Sequence, residues 1–168
     1  MTYAHQALVA SENGKAAIID VGQINAKRRI GHWVTHLFEN LTQSTETCLF
    51  CMNKKVVLSP IDRLEAVSLL NDLWKIVCEA DRRLLPLYPD ASWAYCSEPD
   101  ETKKFIKAWA AMEKPLGRLY NLTFGQDQWL TKAFGDAEGF SDVGVAEFFA
   151  SRSDTLFARY IEVANEPA

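Results

Sequence analysis

Residues 7–21 read ALVASENGKAAIIDV, and the fold class turns on them. Two apolar runs, around Leu8-Val9 and Ile18-Ile19, flank Asn13-Gly14, the residue types that tolerate the positive φ of a tight hairpin turn. The spacing predicts a β-hairpin at the front of the chain. The period then changes. Ile30, Trp33, Val34, Leu37, Phe38 and Leu41 recur at helical spacing, which predicts a helix over about 25–43 with that stripe facing a core. A second, shorter hairpin is expected from Thr47–Met52 and Lys55–Leu58, with Asn53-Lys54 at its tip.

Beyond the strands the pattern is helical. Ser59-Pro60-Ile61-Asp62 signals a helix start, with Ser as the cap, Pro in the first helical position and an acidic side chain at the positive end of the dipole. That helix is expected to run to about Leu84. Its apolar residues, from Ile61 and Leu64 through Trp74 and Val77, cover most of its circumference and predict a central buried helix. Pro86 and Pro89 break the pattern, and a loop containing Trp93 and Tyr95 leads to a new cap at Ser97–Asp100. Helical segments are expected at 100–114, Leu116–Leu122, Gln126–Phe134 and, as one long or two broken helices, Ser141–Asn165. The expected architecture is α+β and predominantly α-helical. A small N-terminal antiparallel β-hairpin sheet packs with about five helices in a single compact domain, 1–168.

With 168 residues, 48% hydrophobic and 24% charged, the chain can build its own core without a metal or disulfide. Cys48, Cys51, Cys78 and Cys96 are too few for a disulfide framework, so a reducing cytoplasm is the expected setting. The opening Met1–Gln6 has no basic region leading into an apolar one, and no apolar run reaches bilayer length. Neither secretion nor membrane spanning is expected. The net charge of -4 gives no bulk argument for wrapping nucleic acid. Residues 1–58 carry six basic and four acidic side chains, residues 123–168 three and eight. Such asymmetry orients a protein on a partner, although solvated surfaces show it too.

The sharpest local feature is His32-x-x-x-His36 followed by Cys48-x-x-Cys51. Histidines four apart project from one helix face, and two thiolates complete a tetrahedral zinc shell. At 100° per residue the pair lies roughly 140° from the centre of the apolar stripe, away from the expected core. In ligand type the set resembles the His-His-Cys-Cys zinc module at the front of retroviral integrases, where a helix carries the histidines and a later cysteine pair closes the site. The likeness is confined to these four positions, with a shorter interval between the pairs. It implies a zinc-containing nucleic-acid-binding module in which Lys27, Arg28 and Arg29 contact phosphate. Geometry opposes it, because residues three apart in a regular strand point to opposite faces.

No phosphate-cradling glycine loop and no complete catalytic constellation is present, although a Cys/His nucleophile drawn from Cys51 with His32 or His36 is a third reading. Tyr88, Trp93 and Tyr95 fall in or beside the expected loop, where exposed aromatics anchor protein interfaces. The leading expectation is a small cytoplasmic interaction module that inhibits or regulates another protein or protein complex, in the manner of mobile-element or anti-CRISPR-type inhibitors. Tyr88, Trp93, Tyr95, Lys27, Arg28 and Arg29 would supply its contacts. It needs no cofactor, whereas the second reading needs zinc on His32, His36, Cys48 and Cys51.

Overall fold

Gln6–Glu12 (β1) and Lys15–Asp20 (β2) pair antiparallel with Glu12 opposite Lys15, which leaves residues 13–14 as the connection. The pairing forms the hairpin expected around this segment, with a shift of register between Leu8 and Ser11. The coordinates are a computed structural model, and they describe residues 6–12, 15–112, 140 and 142–165. The expected helices at Leu116–Leu122 and Gln126–Phe134 lie outside the described residues.

Ala26–Thr42 (α1) starts where the Asn25 side chain accepts the Arg28 backbone N–H at 3.0 Å, satisfying one of the orphan donors of the first turn. The chain then returns as Glu46–Cys51 (β3) beside β2, and turns back through Lys55–Leu58 (β4). Both expected hairpins form, but the pair that joins them, β2–β3, is parallel. A helix between two neighbouring strands carries the chain back to its starting end, so the sheet is mixed and not antiparallel throughout. A two-residue strand, Ala164–Asn165 (β5), pairs with Val57 and Leu58 and completes the order β1-β2-β3-β4-β5.

Arg63–Ala80 (α2) begins three residues later than the sequence signal. Ser59 lies before a proline, which favours extended backbone, and its N–H donates to the Val163 carbonyl at 3.0 Å. The cap is Asp62, whose carboxylate accepts the Leu64 N–H at 2.8 Å. Nor is α2 buried all round. Ala66, Leu73 and Ile76 are buried, but Leu64 is 80% exposed and Trp74 63% exposed. The expected loop containing Trp93 and Tyr95 is instead a helix, Pro89–Cys96 (α3), because Pro89 occupies the first turn, where its missing donor costs nothing. A 3-10 turn at Glu101–Lys103 leads into Lys104–Met112 (α4), and Val143–Val163 (α5) is one long helix. The described chain is therefore α+β and predominantly helical, with five α-helices.

The chain divides into two compact units. The first comprises Met1–Leu73 with Arg159–Ala168. Its core joins Ile18, Leu49, Val56 and Leu58 of the sheet with Trp33 and Leu37 of α1, and Trp33 stands edge-on to Tyr160. In the second, Trp74–Ala158, a core of Ala91, Tyr95, Ala108, Met112 and Phe149 is lined by Tyr88, Phe105 and Phe140. Among the described residues no helix is long and apolar enough to cross a membrane.

Candidate functional site

Strand alternation sends Ala16, Ile18 and Asp20 of β2 to the face covered by α1, and Thr47 and Leu49 of β3 to the same side. Asp20 ends β2 and is buried there as a charge. Its Oδ1 accepts from the Gly22 backbone N–H at 2.9 Å and pairs with Arg28, while Oδ2 lies 3.0 Å from His32 Nε2. Burial opposes the charged form, but the bonds from Arg28 and Gly22 and the Arg28 charge outweigh it and hold the carboxyl below its usual range. Burial pushes the His32 ring the other way, toward the neutral form. Gly22 permits this arrangement because a Cβ there would collide with the Arg28 guanidinium.

One turn along α1, His36 Nδ1 lies 2.7 Å from the Thr47 hydroxyl, and the ring stacks on Trp33. Burial lowers its pKa to about 4, against a smaller opposing effect of its bond to the Ser59 backbone. Asn40 completes the inner face. Its Nδ2 donates to the carbonyls of His36 at 2.9 Å and Thr45 at 3.1 Å, and its Oδ1 accepts the N–H groups of Thr45 at 2.9 Å and Ile61 at 3.0 Å. All four bonding positions of the amide are used. The buried face of α1 is therefore Arg29, His32, Trp33, His36, Leu37 and Asn40, turned by roughly 100° from the apolar stripe read in the sequence. The histidines turn inward because they are neutral and partnered. Asn40 and Asp20 were missed, although a polar residue seven beyond Trp33 on the same helix face was the available signal for Asn40.

These roles decide what becomes of the zinc set. Cys48 and Cys51 sit in a regular strand, so Cys48 faces away from α1 and from both histidines. Among the described residues no group of three or more His, Cys, Asp or Glu side chains is placed to hold a metal ion. Burial, followed by the Asp20 charge, pushes the Cys51 thiol up, the reverse of an activated nucleophile.

The consecutive bases do not form one patch either. Lys27 faces solvent, Arg28 is held by Asp20, and Arg29 is buried with its Nη1 donating to the Tyr160 hydroxyl at 3.1 Å. Successive helical residues point about 100° apart, which separates them. Of the aromatic trio, Tyr95 is buried edge-on to Phe105 and Phe149, Trp93 meets Phe157, and Tyr88 packs on the same core as Tyr95. Tyr95 is thus interior to the second unit, while Trp93 and Tyr88 are half-buried.

The outer face of the sheet is different. Ile19 neighbours Phe50, Ala17 neighbours Cys48, and Cys48 stands opposite Val57, so apolar side chains run across three strands. Ile19 and Phe50 are each 44% exposed, with Val21 and Met52 exposed at the same end. Lys55 lies over the Phe50 ring at 5.5 Å. An open sheet face ordinarily alternates to polar residues, whereas near-continuous apolar strands are those covered on both sides. The model of the RecC C-terminal domain family matches residues 5–99. The chain belongs to this family. The match runs through β1 to β4, α1, α2 and α3, and so includes both the buried polar face and the open apolar one. No curated protein sequence matches the chain.

Proposed function

We propose that the chain is a non-catalytic interaction module that docks a protein partner on the outer face of its sheet and regulates that partner's assembly by occupying its surface. The observation that carries this reading is the pairing of Ile19 with Phe50, open to solvent near the C-terminal ends of two strands whose sequence calls for cover on both sides. On the opposite face the polar groups serve one another. Asn40 is fully bonded, His36 is partnered and Asp20 is neutralised, so their evident work is to fix α1 on the sheet. Membership in the RecC C-terminal domain family supports a role in protein interaction or in a DNA-related assembly. Inhibition follows if the surface covered on the partner is one it needs; the same contact otherwise scaffolds.

Affinity isolation of the tagged chain from its native cells tests the proposal. A partner retained by the native chain should be lost from Ile19→Lys and Phe50→Glu but kept by Leu64→Glu, which alters a still more exposed apolar side chain elsewhere. Retention by all three variants would remove the sheet face as the docking surface.

A further inference from the structure

The second unit carries an open cleft of about 520 Å³ lined by Lys75, Cys78, Glu79, Arg82 and Arg83. Its single lining carboxylate is already shared. Arg83 pairs with Glu79 Oε1, and Arg152 donates to Oε2 from Nε at 3.1 Å and from Nη2 at 2.9 Å. Both guanidinium groups also rest on the Phe148 ring, at 4.9 and 4.8 Å. One carboxylate between two guanidinium groups leaves an uncompensated positive charge, and Arg82 adds another, since among the described residues it has no ion-pair partner. Beside this cationic strip α2 presents an apolar edge. At 100° per residue Trp74 and Val77 lie together on the flank next to Cys78, and both are exposed.

We propose that this cleft binds an acidic amphipathic segment of a protein partner, its carboxylates meeting Arg82, Arg83 and Lys75 and its apolar side chains meeting Trp74 and Val77. Arginine forks match carboxylate geometry, and a parallel apolar strip matches a helix with one apolar stripe. A single-stranded nucleic acid fits less well. Exposed Trp74 offers one stacking platform, but branched Val77 beside it offers no second, and the Phe148 ring is taken by two guanidinium groups. The cleft and the outer sheet face share no residue, so either assignment stands or falls without the other.

Fluorescence anisotropy tests it with three labelled probes: a sixteen-residue helix-forming peptide with one leucine stripe flanked by glutamates, its Glu→Gln counterpart, and a twelve-nucleotide oligothymidylate. Arg82→Glu and Val77→Asp change exposed side chains, and circular dichroism melting verifies their folding. The acidic peptide should bind in a salt-sensitive manner, weaken about tenfold or more in Arg82→Glu and severalfold in Val77→Asp, and lose most affinity as its Gln form. Tighter binding of the oligonucleotide would assign the cleft to nucleic acid. Failure of the acidic peptide to bind, or binding indifferent to both substitutions, would overturn the proposal.

Discussion

His32 Nε2 lies 3.0 Å from Asp20 Oδ2, with both side chains closed off from solvent. The contact ties α1 to the last residue of β2, while Arg28 holds the other carboxylate oxygen from one turn earlier on the same helix. Among the described residues His32 Nδ1 has no hydrogen-bond partner, which agrees with a neutral ring that donates from Nε2. The pair acts as a clasp between α1 and the sheet.

The clasp depends on Gly22. A methyl group there meets the Arg28 guanidinium, so Gly22→Ala should displace Arg28 from Asp20 and cost about 1–2 kcal/mol. In an Arg28→Ala background the same substitution should cost close to nothing. Urea unfolding of the four proteins in this cycle measures the coupling.

Acid sensitivity should arise from His36. Its folded pKa of about 4 lies below the 6.5 of an exposed ring, so between these values the unfolded chain binds a proton that the folded chain excludes. The stability from the neutral ring is full above pH 6.5 and is lost as the pH falls toward 4. The shift corresponds to about 3 kcal/mol. His32 is shifted in the same direction and adds to the loss. Unfolding free energy measured from pH 7.5 to 4 should fall steeply, and His36→Gln should flatten that limb.

Asn40 should be irreplaceable in a specific way. Asn40→Asp keeps the acceptor for the Thr45 and Ile61 N–H groups but loses the donors to the His36 and Thr45 carbonyls, and it buries a charge. Asn40→Leu loses both sets. Each should destabilise the protein by about 2–4 kcal/mol in denaturant titration.

Adjacent residues on β3 should separate stability from binding. Leu49 is fully buried, so Leu49→Ala should cost about 3 kcal/mol. Phe50 faces outward, so Phe50→Glu should change stability by less than about 1 kcal/mol while abolishing partner retention.

The hairpins were legible in the sequence because their signals are local: Asn13-Gly14 between two apolar runs pointed to the first, and Asn53-Lys54 sits at the tip of the second. Their parallel union was not, since it depends on where α1 returns the chain. The inward face of α1 was misjudged because a count of apolar residues ranks Phe38 above His36. A neutral ring bonded to Thr47 can nevertheless be buried completely, whereas Phe38 is left exposed. Ser59 resembled a cap by type, but Pro60 keeps it extended and Asp62 does the capping. The docking face was partly written in Ala16–Ile19 and Cys48–Cys51, whose unbroken apolar character marks strands covered on both sides.

Site-specific photocrosslinking in native cells tests the docking face most directly. With p-benzoylphenylalanine in place of Phe50, ultraviolet light should join the chain to one discrete protein partner, while the same replacement at exposed Phe38 on α1 should give no such product. Crosslinking from position 38 alone, or from neither position, would contradict the account.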